Sequence, residues 1–327
     1  MSGCEKDRVT TTVAWIFPGQ NSQRLGMGAA VAAAFPEVAT QYFERADDVL
    51  RLPLSRMCFQ GPVEELVKTE NQQPAIFLVS CAIAHVLRGY GFEPAATAGH
   101  SLGEYSALVT AGSLSFAGGL RLARRRGELM AAVAARTGGL MAAVVGLDAA
   151  EVEDACAQAR YGGVVEIANY NSPSQTVISG EEQGVRYAME LVREMGARRV
   201  VELKVSAPFH CSLMADMARD FEPVLEETTM NDAELPVVAN VDADYERSVH
   251  RIRRNLLGQL DHAVRWSDSM RRLITDGVDT VIEVGPERVL TGLMRQIDSS
   301  VTTYSTGDPA GIEKAVQGLS PRLKATD

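Results

Sequence analysis

The chain has 327 residues, 46% hydrophobic and 23% charged, with a formal net charge of −10. That length holds one large domain or two ordinary ones around a sizeable core, and so acidic a surface repels nucleic acid unless a local basic patch overrides it. The only dense basic runs, at 121–128 and 250–255, are short.

No apolar run approaches the roughly 20 residues of a membrane span. The first 17 residues lack the basic start and long apolar stretch of a signal peptide, which predicts a cytoplasmic protein with no membrane contact. Five scattered cysteines (Cys4, Cys58, Cys81, Cys156 and Cys211), odd in number and without a C-x-x-C pair, argue against a disulfide framework or a zinc site.

In chain order, "VAWIFPGQ" (13–20) predicts a buried strand ending at Pro18-Gly19. "QPAIFLVSCAIAHVLRGYG" predicts a helix with Pro74 at its start and Gly89 or Gly91 at its end. A short strand "PAATAGH" follows, then a helix "SLGEYSALVTAG" stopped by Gly112, then a helix from about Ser115 to Ala135. This alternation implies a parallel α/β sheet.

The middle of the chain differs. Strand "LMAAVVGL", a helix N-capped by Asp148, strands "VVEIANYN" and "QTVISG" joined by "SPS", helix "EEQGVRYAMELVREMG" and strand "RRVVELKV" give β-α-β-β-α-β, the ferredoxin-like order. The α/β pattern then resumes with strand "LPVVANV", a helix near 250–260 and strand "TVIEVG". The expected organisation is a large α/β domain over 1–136 and 206–327, a small inserted domain over 137–205, and a loose tail in the last few residues.

Gly99-His100-Ser101-Leu102-Gly103 fits the G-x-S-x-G nucleophile elbow, in which a tight strand-to-helix turn exposes the serine. The following helix N-terminus offers backbone N–H groups to a developing oxyanion. A serine nucleophile needs a base. His100 sits beside Ser101, but on an elbow its side chain points away. His85 reads as a core residue, and His250 and His262 as surface residues. His210, in the loop after the small domain's last strand, is the candidate that the order Ser-then-His favours, though on its own it stays an open choice.

On the helix around "GLRLARRRGELM", Arg121, Arg124, Arg125 and Glu128 share one arc. Arg126 falls on the apolar arc, between Leu122 and Met130. A buried guanidinium is costly unless an anion meets it. Two readings stand open here, an internal salt bridge and a bidentate clamp for a substrate carboxylate.

These residues, with "FPGQNSQ" (17–23), "NQQPAIF" (71–77), "RRGELM" (125–130), "NYNSPSQTVISG" (169–180), "APFHCSLM" (207–214) and "EVGPERVLTGL" (283–293), resemble the malonyl-CoA:acyl carrier protein transacylase family from about 13 to 295. The group serves fatty acid synthesis and, as free-standing acyltransferases, polyketide synthesis. The resemblance implies a hydrolase-like parallel α/β domain carrying a ferredoxin-like insert. It makes Ser101 the nucleophile, His210 the base and the Gln259 backbone carbonyl the group that orients the histidine. It makes Arg126 the carboxylate ligand and the Gln20 and Leu102 N–H groups the oxyanion hole. Gln73 would line the acyl pocket, and Asn169 and Asn171 would lie near its entrance. Malonyl-CoA would be the substrate and an acyl carrier protein the acceptor, with no bound cofactor or metal, in a monomer.

Two departures matter. Asn21 stands where the family usually has glycine, and Asn tolerates left-handed backbone. Phe209 precedes His210, as in malonyl-selective polyketide acyltransferases, which implies malonyl over methylmalonyl. An acyl hydrolase of the same fold is the alternative, and Arg126 argues against it. A carrier-docking protein without activity would have damage at Ser101, His210 or the elbow glycines, and none is seen. Docking an acidic carrier needs local cations, for which Arg198-Arg199 and Arg251, Arg253 and Arg254 are candidates.

Overall fold

The computed structural model describes residues 12–203 and 207–323. Cys4, most of the N-terminal stretch read above, the expected boundary at 205/206 and the very end of the tail lie outside them. Among the described residues the strands are β1 (Val13–Phe17), β2 (Ala96–Gly99), β3 (Leu140–Val145), β4 (Val165–Ser172), β5 (Gln175–Gly180), β6 (Arg199–Glu202), β7 (Val237–Val238), β8 (Tyr245–Glu246), β9 (Thr280–Glu283) and β10 (Thr302–Ser305). They build a six-stranded sheet ordered β10-β9-β1-β2-β7-β8 and a four-stranded sheet ordered β4-β5-β3-β6.

The large sheet is parallel except for β8, which runs antiparallel to β7. Strand β1 shows why its sequence is continuously apolar. Trp15 and Phe17 enter one core, with Phe77, Leu102 and Met130, while Ala14 and Ile16 enter another, with Val264, Trp266 and Leu290. A strand covered by helices on both faces has no solvent side to pattern. The small sheet is antiparallel throughout and carries its own core under the helices Ala149–Ala159 and Glu182–Glu194. Asp148 and Glu151 close a capping box at the first of these helices. The architecture is thus a hydrolase-like parallel α/β layer with a ferredoxin-like second sheet.

The structure departs from the sequence expectation in several places. The helix with Pro74 spans Thr69–Gly89, so the proline lies inside it. Proline lacks the N–H that would meet the Glu70 carbonyl, and Arg124 Nη1 donates to that oxygen instead, at 3.0 Å. His85 is only half buried, its ring 5.2 Å from that of Tyr42. The strand expected over 235–241 shortens to Val237–Val238, and strands β8 and β10, the short helices between residues 29 and 66 and the helices Ala215–Glu227, Trp266–Thr275, Val289–Ile297 and Pro309–Leu323 are additions to the expected elements. A two-residue strand and the polar "TTYS" are too short or too mixed to show a period.

Two junctions place the site. Gly127, on the helix Phe116–Thr137, lies so close to the Thr69 and Glu70 backbone that a Cβ would overlap it. This brings Arg126 beside the helix that carries Gln73. The sheets meet at β4, where Val264 N–H donates to the Ala168 carbonyl at 2.8 Å and Tyr170 N–H to the Val264 carbonyl at 2.9 Å. Register shifts on either side of Asn169 and Tyr170 turn this strand over the end of the large sheet.

Candidate active site

The loops leaving β1, β2 and β7 converge at the carboxyl edge of the parallel sheet, the place where open α/β sheets bind ligands. Ser101 follows β2 with φ 52°, in the left-handed region that costs a non-glycine residue energy. The turn admits no side chain at either glycine. A Cβ on Gly99 would overlap the Gly103 backbone, and one on Gly103 the Phe17 carbonyl. Asn240, just past β7, holds the turn from outside. Its Oδ1 accepts from Ser101 N–H at 2.7 Å and its Nδ2 donates to the Gly99 carbonyl at 2.6 Å.

Ser101 Oγ lies 2.8 Å from His210 Nε2, and His210 Nδ1 lies 2.8 Å from the Gln259 carbonyl. A carbonyl only accepts, so Nδ1 carries the ring hydrogen and Nε2 presents a lone pair to the serine hydroxyl. His210 is itself held at φ 59°. Burial, and then the Arg126 charge, depress its pKa to about 3, against the raising effect of the Gln259 carbonyl. The imidazole is therefore neutral, as a base must be before it takes a proton.

Arg126 is fully buried. Nη1 donates to Gln73 Oε1 at 2.7 Å, and Nη2 to Ser101 Oγ at 3.0 Å and to Gln259 Oε1 at 2.9 Å. Its Nε has no partner, and no carboxylate pairs with it among the described residues. The internal-salt-bridge reading therefore fails, and a buried cation stands unpaired beside the serine. Its helix neighbours follow the expected arcs, with Arg125 turned outward to Glu128 and Arg124 half-buried between Glu128, the Glu70 carbonyl and Asn71.

Of the N–H groups at the elbow, Ser101, Gly103, Glu104 and Tyr105 are each in a hydrogen bond, and Leu102 has no acceptor among the described residues. Gln20 sits on the facing loop. Its side chain donates to Gln72 Oε1 at 2.8 Å, and Asn21 beside it adopts φ 72°. Asn169 and Asn171 line a cleft of about 170 Å³ with Gln20, His100, Leu203 and Leu290. Asn171 Oδ1 accepts from His100 Nε2 at 2.8 Å, which turns the His100 ring away from Ser101 and toward Trp266. Phe209 is buried next to His210. The fold thus brings Ser101, His210, Gln259, Arg126 and Gln73 into direct contact, with Leu102 at the elbow, Gln20 on the loop after β1 and the two asparagines on the cleft wall.

The acyl transferase domain family matches residues 14–316. A malonyl CoA-acyl carrier protein transacylase of Bacillus subtilis (strain 168) is 42% identical over 94% of this chain and 97% of its own. One of Escherichia coli O157:H7 is 41% identical over 94% and 99%. A malonyl-transacylase solved in complex with a type II PKS acyl-carrier protein superimposes with a TM-score of 0.91 at 41% identity, over 94% of this chain and all of that one. The chain belongs to the malonyl CoA-acyl carrier protein transacylase family. It is an acyltransferase.

Two residues of this transacylase-family site escaped the sequence reading. Asn240 lies two residues past a strand of two residues and belongs to no motif. Glu104 lies in plain view within "GHSLGEYSAL", but an acid in the first turn of a helix reads as ordinary dipole compensation. Among the described residues no cluster of three His, Cys, Asp or Glu side chains is placed to hold a metal ion, and no helix is long and apolar enough to cross a membrane.

Proposed function

We propose that this acyltransferase moves a malonyl group from malonyl-CoA, through an ester on Ser101, to the phosphopantetheine thiol of an acyl carrier protein, supplying polyketide or fatty acid synthesis. The observation that carries this reading is Arg126, a fully buried guanidinium with no anionic partner, 3.0 Å from the serine oxygen. An acyl group ending in a carboxylate supplies the direct anionic partner that the guanidinium lacks. A malonyl chain is short enough to reach from the Ser101 ester back to Arg126.

In the first half-reaction His210 Nε2 takes the Ser101 proton as Oγ attacks the thioester carbon. The N–H groups of Gln20 and Leu102 receive the oxyanion. The C–S bond breaks, and coenzyme A leaves with the proton held by His210. In the second, His210 deprotonates the carrier thiol, which attacks the ester carbon and returns Ser101 Oγ with its proton, a ping-pong sequence. Gln259 keeps the imidazole in the required tautomer through its carbonyl, and Gln73 steadies Arg126. Phe209 crowds a 2-methyl branch and selects malonyl over methylmalonyl. The hydrolase alternative has no use for a carboxylate ligand at this position.

The acyl group sits where the units 1–136 with 206–327 and 137–205 meet, which positions it and excludes water. Asn169 and Asn171 lie on the entry side. The protein works in the cytoplasm as a monomer without a bound cofactor. Arg198, Arg199 and Arg254 are exposed and available to an acidic carrier. Arg251 and Arg253 are occupied within the chain, by Asp242 and Asp244 and by the Leu225 and Thr228 carbonyls.

Incubation with equal malonyl-, methylmalonyl- and acetyl-CoA, without carrier, tests the reading by intact mass. The expected product is a malonyl adduct absent from Ser101→Ala and Arg126→Ala. Free malonate accumulating without adduct would support the hydrolase, and a dominant acetyl or methylmalonyl adduct would overturn the substrate assignment.

A further inference from the structure

Glu104, three residues past Ser101, is fully buried, and the chemistry above makes no use of its carboxylate. Its Oε2 accepts from Gln259 Nε2 at 2.7 Å and from the Asn240 N–H at 3.3 Å, while Oε1 has no partner. Gln259 turns its Oε1 to Arg126 Nη2 at 2.9 Å. One amide thus lies head to tail between a carboxylate and a guanidinium, its N–H toward the anion and its C=O toward the cation. Hydrogen bonds to charged groups are stronger than neutral ones, and two in series polarise each other.

The indirectness matters. A carboxylate paired directly with Arg126 would occupy the N–H groups that an acyl carboxylate needs. A buried guanidinium with no anion nearby would be costly and poorly fixed. One amide of separation avoids both. We propose that Glu104 is the counter-charge of Arg126, relayed by the Gln259 side chain, and thereby a positioning residue that sets the preference for acyl groups carrying a free carboxylate.

The surroundings agree. Burial raises the Glu104 pKa, while its bonds from Gln259 and Asn240 and the Arg126 charge oppose that rise. Glu246, also buried, is pushed up by burial first and then by the Glu104 charge. Glu104 also reaches the nucleophile through the Gln259 side chain and through Asn240, whose main chain meets Glu104 and whose side chain meets Ser101. Gln259 Nε2 donates to the Ser101 carbonyl at 3.0 Å, and Asn240 Oδ1 accepts from the Ser101 N–H.

This inference rests on reading Arg126 as the carboxylate ligand. The test is a double-mutant cycle on the full chain, with self-acylation rates from malonyl-CoA and acetyl-CoA followed by intact mass. Glu104→Gln is expected to reduce the malonyl-over-acetyl preference by about tenfold or more while leaving the acetyl rate within about threefold. In an Arg126→Ala background the same change is expected to alter neither rate by more than about twofold. A structural role alone would lower both rates in both backgrounds, and that result overturns the proposal. Should Glu104→Gln fold poorly, Glu104→Asp keeps the negative charge on a shorter side chain and Glu104→Ala removes it. The Asp variant is expected to keep at least about threefold more of the malonyl-over-acetyl preference than the Ala variant, and an equal loss of preference in the two overturns the proposal. A wild-type protein without malonyl preference would instead overturn the reading of Arg126.

Discussion

Under the small antiparallel sheet the buried side chains are Leu140, Ala142, Val144, Val152, Ile178 and Val192, facing one another across a strand period of two and a helix period of 3.6. At the carboxyl edge of the parallel sheet they are Gln73, Ser101, Glu104, Arg126, His210 and Gln259. Both regions exclude water. The first gains stability from doing so, at about 25 cal/mol per Å² of apolar surface. The second loses stability unless each polar group finds a partner. The Arg126 Nε, the Glu104 Oε1 and the Tyr105 hydroxyl lack one. The contrast separates a region built to hold the fold from one that holds reactive groups at the fold's expense.

Substitutions can break this contrast from either side. The largest effect belongs to Ser101→Ala, which is expected to lower self-acylation by about 10⁴-fold or more, with the thermal midpoint nearly unchanged. A large fall in the midpoint would assign the serine to the fold instead. Arg126→Ala is expected to lower the malonyl rate by about 10²- to 10³-fold, as the loss of a bidentate charge-assisted contact implies. It should spare acetyl transfer, as competing acyl-CoA rates would reveal.

The opposite pattern is expected in the small sheet. Ile178→Ala there leaves a cavity costing about 2–4 kcal/mol in denaturant unfolding, while the rate per folded molecule stays within about twofold. A selective loss of rate would show that the sheet does more than support the cleft.

Acid sharpens the same comparison. His210 has its pKa depressed to about 3, below the ordinary 6.5, so between those values the unfolded chain binds a proton that the folded protein refuses. The stability linked to this histidine is complete above pH 6.5 and is lost as pH falls toward 3. His210→Gln is expected to flatten the fall of the unfolding midpoint across that window, and parallel curves would contradict a buried neutral imidazole. The smallest effect is expected of Asn21→Gly. At φ 72° asparagine is already tolerated, so acylation rates should differ by less than about twofold.

The small sheet was legible because its strand pairing is local and its periods are short. The elbow was legible because Gly99 and Gly103 answer a steric demand within five residues. Arg126 announced itself by lying on the wrong arc of an amphipathic helix. The role of Gln259 came only with the family resemblance, since a backbone carbonyl leaves no mark on residue type. Asn240 and Glu104 were missed because each is ordinary in its own segment.

The sequence by itself therefore determined the elements around the elbow and in the small sheet, the strained serine and the arginine set on an apolar helix face. These depend on sterics and burial within a turn or two of chain. The tertiary structure alone decided what surrounds that arginine. His210 meets Ser101 across 109 positions, Gln259 meets Arg126 across 133, and Glu104 meets Gln259 across 155. Contacts of that span follow from the order in which parallel strands assemble, and a hydrogen bond made through an amide or a carbonyl imposes no periodicity on the residues that make it.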